Sequence, residues 1–227
     1  DDSPMNYADN GYHFRQDSTF LYYFGIDFPA LAAVIDVEND RQIIFGDDYT
    51  IDDIVWMGPQ PSIANRAAES GITDTKPTND LAKLLADASW KDREVHFLPP
   101  YRPENKLKLQ ALLGLHPAEI AQKSSLSLIR AVVSQREIKT DEEIREIERA
   151  VDLSVDMHVA AMQLARPGMT EAQIAARVYE IAHAANGEIS FPIIATINGQ
   201  TLHNHYHGNV LKSGDLFLLD AGGEVES

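Results

Sequence analysis

Ser213-Gly214-Asp215-Leu216-Phe217-Leu218-Leu219-Asp220-Ala221-Gly222-Gly223 joins a turn, an apolar run, a carboxylate and a glycine pair. Four apolar residues between a Ser-Gly turn and a Gly-Gly pair read as a strand over residues 216–220, and the run ends on a carboxylate. An ionised carboxylate at the mouth of an apolar strand is costly unless it is paired, hydrogen-bonded or bound to a cation. The glycines that follow let backbone approach closely there. Two readings of Asp220 stand side by side: a ligand held at a strand end, or an aspartate capping the turn after a strand.

Working upstream, His203-Asn204-His205-Tyr206-His207-Gly208 holds three histidines in six residues, and residues 201–206 read as a strand. Alternate strand positions share a face, so the three imidazoles converge where a metal or a proton-transfer site would use them. A solvated edge strand is the other reading. Residues 191–197 make a further strand, with Asn198-Gly199 as its turn. Two helices precede these strands. Thr140 with Glu143 has capping-box spacing ahead of the stripe Ile144, Ile147, Val151 and Val155, which carries one long helix to about Leu164. Pro167-Gly168 breaks it. Thr170 with Gln173 repeats the pattern for Ile174, Val178, Ile181 and Ala182, and Gly187 supplies a C-cap.

The first half is an α/β pattern of shorter pieces. Residues 19–24 (Thr-Phe-Leu-Tyr-Tyr-Phe), 32–37 and 41–45 read as strands of a meander, with Glu38-Asn39-Asp40 as a turn. A helix capped at Asn79 or Asp80 carries Leu81, Leu84 and Leu85. Residues 95–98 read as a buried strand, 107–113 as a helix ended by Gly114, and 125–136 as a helix with Leu126, Ile129, Val132 and Val133 on one face. The change in character places a boundary at 138/139. His13, His96, His116, His158 and His183 are scattered singly and read as surface or packing residues.

Composition narrows the chemistry. The 227 residues are 44% hydrophobic and 24% charged, values at which a chain buries a core. A net charge of −16 argues against nucleic acid or an anionic membrane as partner, since both require clustered cations. With no cysteine, thiol nucleophiles and zinc ribbons are excluded, and a metal must be held by His, Asp, Glu or carbonyl oxygen. No apolar run approaches the roughly 18 residues of a membrane span. The start at Asp1-Asp2-Ser3-Pro4 carries no targeting signal, which reads as cytoplasmic, and both ends look like cuts in a longer chain.

An ordered series of motifs then points to a family. Residues 140–144, Arg166-Pro167-Gly168-Met169-Thr170-Glu171, Thr196-Ile197-Asn198-Gly199, residues 203–209 and residues 213–224 resemble the pita-bread metallopeptidases, especially aminopeptidase P and prolidase. Residues 12–25, from Tyr12-His13-Phe14-Arg15-Gln16-Asp17-Ser18 to Gly25, are similar to the signature of the aminopeptidase P N-terminal domain.

The resemblance implies an α/β N-terminal creatinase-like domain over residues 1–138. The α+β opening part of a pita-bread catalytic domain would follow over 139–227. It implies an Xaa-Pro aminopeptidase, which releases the first residue from peptides with proline second by metal-assisted hydrolysis with two divalent ions, usually manganese. On this pattern Asp220 is the first metal ligand and His205 the substrate-facing histidine. Trp56 can reach a neighbouring subunit's active site, which makes the protein a homo-oligomer. The remaining four ligands would lie after Ser227, so the chain as given is expected to be inactive, and its N-terminal sheet to be short of a strand. The rival readings are a prolidase, a non-catalytic peptide-binding module, and a mononuclear zinc hydrolase built on the His-x-His-x-His cluster.

Overall fold

The computed structural model describes residues 3–8, 10–90 and 93–225, so Asp1, Asp2, Glu226 and Ser227, part of the ends read above as cuts, lie outside it. The chain forms two compact units, residues 1–137 and 138–227.

In the first unit, β1 (Pro4–Tyr7) and β2 (Asn10–Gly11) pair antiparallel. Residues 19–24 then depart from expectation, because they belong to α1 (Ser18–Phe24) and not to a strand. Their β-prone composition is overruled at both ends. The Asp17 carboxylate accepts from the N–H groups of Thr19 and Phe20 at 2.9 and 3.0 Å, and Gly25, at φ 62°, donates its N–H to Leu21 O in a left-handed cap. Helical spacing puts Phe20 and Phe24 on one face, ring centroids 4.9 Å apart, with Phe24 buried. Gln16 braces the turn by donating to Ile26 O and Phe28 O.

The expected strands at 32–37 and 41–45 form as β3 (Ala32–Asp36) and β4 (Arg41–Phe45), an antiparallel hairpin. Ile43, Ile44 and Phe45 are fully buried, so β4 is the central strand, covered on both faces. After α2 (Ile51–Met57) and α3 (Ile63–Glu69) the chain returns as β5 (Thr75–Lys76), parallel to β4, which is the crossover of an α/β unit. Phe24, Ile26, Ile44, Ile63, Ala67 and Ile72 form its core. Each large apolar side chain there contributes about 1.5–3 kcal/mol on burial.

Asp36, at the end of β3, is buried and accepts from Asn39 and from both terminal nitrogens of Arg93. The Arg93 guanidinium holds its carboxyl well below the usual carboxylate range. The helices α4 (Asp80–Ala86), α5 (Pro103–Leu113), α6 (Ile120–Lys123) and α7 (Leu126–Arg136) follow. Gly114 ends α5 in a left-handed cap, and Ser125 caps α7. Residues 95–98, expected as a buried strand, join no ladder, and Val95 is exposed. An apolar run becomes a strand only where a neighbour supplies hydrogen bonds, and no described strand runs beside it. On α7 Val132 is the one buried residue of the expected apolar face, while Leu126 and Val133 are exposed.

In the second unit, α8 (Asp141–Leu164) and α9 (Glu171–Ala184) both begin with the expected capping boxes, reciprocal between Thr140 and Glu143 and between Thr170 and Gln173. The packed face of α8 differs from expectation. Ile144, Ile147, Val151 and Val155 are exposed, while Leu153, Met157 and Ala161 are buried against α9. The helix is apolar on two sides, and the side chosen is the one that the small Ala175 and Ala182 of α9 let it approach. Asn186, at φ 57°, takes the left-handed position after α9 where Gly187 was expected.

The strands after α9 are short. β6 (Glu188–Ile189) pairs with β9 (Gly223–Glu224), and β7 (Ile194–Thr196) pairs with β8 (Leu218–Asp220), so that Ile194 lies opposite Asp220. Residues 201–206 form a turn and extended loop, not the expected strand, because their polar groups bond to side chains and leave no ladder to join. Replacing Asp17 by Ala should lower the stability of the first unit by about 1 kcal/mol. Asp17→Asn, which keeps an accepting oxygen, should restore most of it, as read by urea denaturation of the complete protein.

Candidate functional site

The site is organised behind its exposed residues by Glu171, the first residue of α9, whose side chain is fully buried. One carboxylate oxygen accepts from Ile197 N–H at 2.7 Å, and both accept from the Asn209 side chain at 3.2 and 3.0 Å. Asn209 N–H adds a bond of 3.3 Å. The main chain follows the same seam. Glu171 N–H donates to Asn209 O, Ala172 N–H to His207 O, and Leu211 N–H to Met169 O. Burial pushes the Glu171 carboxyl up, but the donors from Ile197 and Asn209 outweigh it and leave the group below its ordinary value. Position at a helix N-terminus favours the same ionised form.

These bonds determine how the histidine loop is presented. Asn204 turns inward, its amide donating to the Oγ1 of the buried Thr196 at 3.1 Å and its oxygen accepting from Tyr206 N–H at 3.0 Å. The flanking His203 and His205 are exposed as a result. His207 is half-buried, and its Nε2 donates to Ile193 O at 3.1 Å. The three imidazoles therefore do different things and do not converge as a group of three. Among the described residues no group of three His, Asp or Glu side chains is placed to hold a metal ion, which removes the geometric basis of the histidine-cluster zinc site.

His205 and His207 line an open pocket of about 480 Å³ with Ala176, Tyr179, Pro192 and Ile193 among its walls. Ile193 adjoins Ile194, the register partner of Asp220, so the pocket wall and the strand end share one short stretch of chain. Asp220 is exposed at the end of β8, free of the desolvation penalty argued above. As an accessible hard-oxygen donor it fits one ligand position of an oxygen-preferring divalent ion.

Two residues of α8 meet this strand end, Ser154, which was given no role above, and His158, which was read as a surface or packing histidine. Ser154 Oγ accepts from Gly223 N–H at 2.9 Å, and His158 Nε2 bonds to Ala221 O at 3.0 Å. Their i, i+4 spacing places them on one helix face, but only the fold reveals what lies opposite. Glu171 was likewise quoted as part of a motif and given no role. Trp56 belongs to the first unit, on α2, and is 85% exposed, so it is not a core residue. No described helix is long and apolar enough to cross a membrane.

Residues 1–96 match the family described as aminopeptidase P, N-terminal domain, and residues 145–227 match metallopeptidase family M24. The chain matches the aminopeptidase P family in both of its parts. It is 30% identical over 222 residues to a probable Xaa-Pro aminopeptidase of Chaetomium globosum, covering 96% of this chain and 36% of that protein. A similar relative from Sordaria macrospora is 31% identical over 225 residues, covering 96% and 37%. Aminopeptidase PepP of Pseudomonas aeruginosa shares the fold with a TM-score of 0.81 at 21% identity, over 99% of this chain and 54% of that one. Zinc-substituted Escherichia coli aminopeptidase P in complex with product gives a TM-score of 0.77 at 22% identity, over 98% and 53%. The chain thus spans little more than a third of these fungal aminopeptidase P relatives and about half of the bacterial chains. The fold is the family's α/β N-terminal domain followed by the α+β opening part of the pita-bread domain.

A group whose folded pKa is depressed stabilises the fold above its unfolded value and loses that contribution as pH falls through the folded one. Glu171 should therefore support the second unit fully above about pH 4.5 and progressively less below it. Glu171→Ala should cost at least about 2 kcal/mol, because it leaves buried donors unpaired. Glu171→Gln should flatten the acid limb of stability measured by denaturation between pH 3 and 6.

Proposed function

We propose that the complete protein is a metal-dependent Xaa-Pro aminopeptidase, releasing the first residue of peptides whose second residue is proline. The observation that supports this reading is His205 on the wall of a pocket that also includes Ile193, the neighbour of Asp220's register partner Ile194, in a chain whose second part matches metallopeptidase family M24. Residues 1–138 would serve as the N-terminal domain and 139–227 as the opening of the catalytic domain.

Asp220 would supply carboxylate oxygen to one of two divalent ions, with manganese the natural choice for a hard-oxygen site. Such ions, when bound, polarise the scissile carbonyl and lower the pKa of water. His205, exposed and held by its anchored neighbour Asn204, would donate a hydrogen bond to the substrate carbonyl oxygen as negative charge develops there. The pocket beside it, walled by Ala176, Tyr179, Pro192 and Ile193, offers apolar surface to a compact ring such as proline.

In the complete protein, Asp220→Ala should abolish manganese loading, whereas His205→Ala should keep the metal and lower kcat about 100-fold. Metal content by elemental analysis and steady-state kinetics on an Xaa-Pro tripeptide separate the two. Activity that survives chelation, or equal cleavage of peptides lacking proline at the second position, overturns the assignment.

Trp56 would reach a neighbouring subunit's pocket in a homo-oligomer, a role its exposure supports. Trp56→Ala should raise KM for tripeptides and change stability by no more than about 0.5 kcal/mol, since no core cavity opens. A large fall in melting temperature with KM unchanged would count against it.

A further inference from the structure

Asp220 would present its carboxylate from the end of a strand with three ladder pairs, after which Ala221 and Gly222 leave the sheet before β9 begins at Gly223. The chain beyond it is held by the β6–β9 pairing, with Ser190 N–H donating to Gly222 O at 2.9 Å, and by two side chains of α8. Ser154 Oγ accepts from Gly223 N–H while donating to Ala150 O at 2.8 Å, which fixes the direction of its hydroxyl. A carbonyl can only accept, so the 3.0 Å contact of His158 Nε2 with Ala221 O requires the proton on Nε2. Ala221 is buried, which leaves its carbonyl dependent on this donor.

The approach between helix and strand end is as close as the residues allow. A Cβ on Gly223 would lie 2.7 Å from Leu153 Cδ2 and 2.9 Å from Leu153 Cγ, so a larger residue there requires either the Leu153 side chain or the strand to shift. Leu153, Ser154, Met157 and His158 thus form one continuous patch of α8 beneath the chain that follows Asp220. Neither hydrogen bond touches the Asp220 side chain. Their influence on it passes through the backbone alone.

We propose that Ser154 and His158 are positioning residues that clamp the backbone after Asp220 and so set the direction in which its carboxylate meets a divalent cation. This rests on the reading of Asp220 as a metal ligand. It assigns work to a histidine that sequence reading counted as a surface or packing residue. The same two bonds could merely join helix to sheet, and the two roles differ in what they move. A packing role changes thermal stability and leaves the cation's affinity alone, whereas a positioning role changes affinity even where the protein is fully folded.

The test is calorimetric titration of Mn²⁺ into the metal-free complete protein at 25 °C, with the melting temperature of each metal-free variant recorded beside it. His158→Phe keeps the ring volume and loses the donor. It should weaken Mn²⁺ binding about 10- to 100-fold, the usual loss when a group supporting a ligand is removed. His158→Gln, whose amide N–H reaches the position of Nε2, should recover most of that loss. Ser154→Ala should weaken binding in the same direction and decides the matter if His158→Phe does not fold. Wild-type affinity in His158→Phe, or in Ser154→Ala, with a lowered melting temperature overturns the clamp while leaving Asp220 as a ligand. Wild-type affinity in Asp220→Ala overturns the ligand reading and the clamp together.

Discussion

A carboxylate with no access to water governs the second unit. Glu171 is affordable in the interior because two separate pieces of chain donate to it: Ile197, the residue after β7, and Asn209 at the end of the histidine loop, through both its main-chain N–H and its side-chain amide. Remove the negative charge and those donors have nowhere else to go; keep it, and the start of α9, the β7 end and residues 207–211 hold one arrangement. The loop carrying His205 has no regular secondary structure of its own, so its geometry is inherited from this buried anchor and from the Thr196–Asn204 bond beside it.

The same division of labour recurs across the unit. Residues with chemistry to offer, His205 and Asp220, are exposed on irregular backbone or at a strand tip, and polar side chains whose hydrogen bonds are satisfied stand behind them on the two helices. Helices suit this task because their own backbone groups are already paired, which leaves a side chain such as Ser154 or Glu171 free to serve a neighbouring segment. The family's motifs therefore mix two kinds of residue, those that would meet substrate or metal and those that hold the former in place.

What the sequence revealed follows from how local each signal is. The capping boxes at Thr140 and Thr170 act over three residues, and both formed as read. The strands at 32–36 and 41–45 were legible because a turn joins them directly, and the family was legible from the order of its motifs. Residues 19–24 were misread by weighing composition above the flanking Asp17 and Gly25, which were in view. Residues 95–98 and 201–206 were misread because strand formation requires a partner that no local pattern shows. Glu171 and His158 lay beyond reach for a similar reason: their partners are 26, 38 and 63 residues away, and a lone charged or aromatic residue on a helix carries no mark of what it will face. The exposed stripe of α8 is the converse case, a correct periodicity assigned to the wrong side of a helix that is apolar on two.

The cap on α1 has a bearing on the chain before it is folded. Thr-Phe-Leu-Tyr-Tyr-Phe, residues 19–24, is uncharged, free of proline and rich in aromatic and β-branched side chains, which is the composition of segments that stack into cross-β fibrils. Its helical state depends on Asp17 at one end and Gly25 at the other. Asp17 is also the nearest charged residue before the segment, so one side chain both starts the helix and acts as a gatekeeper against intermolecular stacking while the chain is being made.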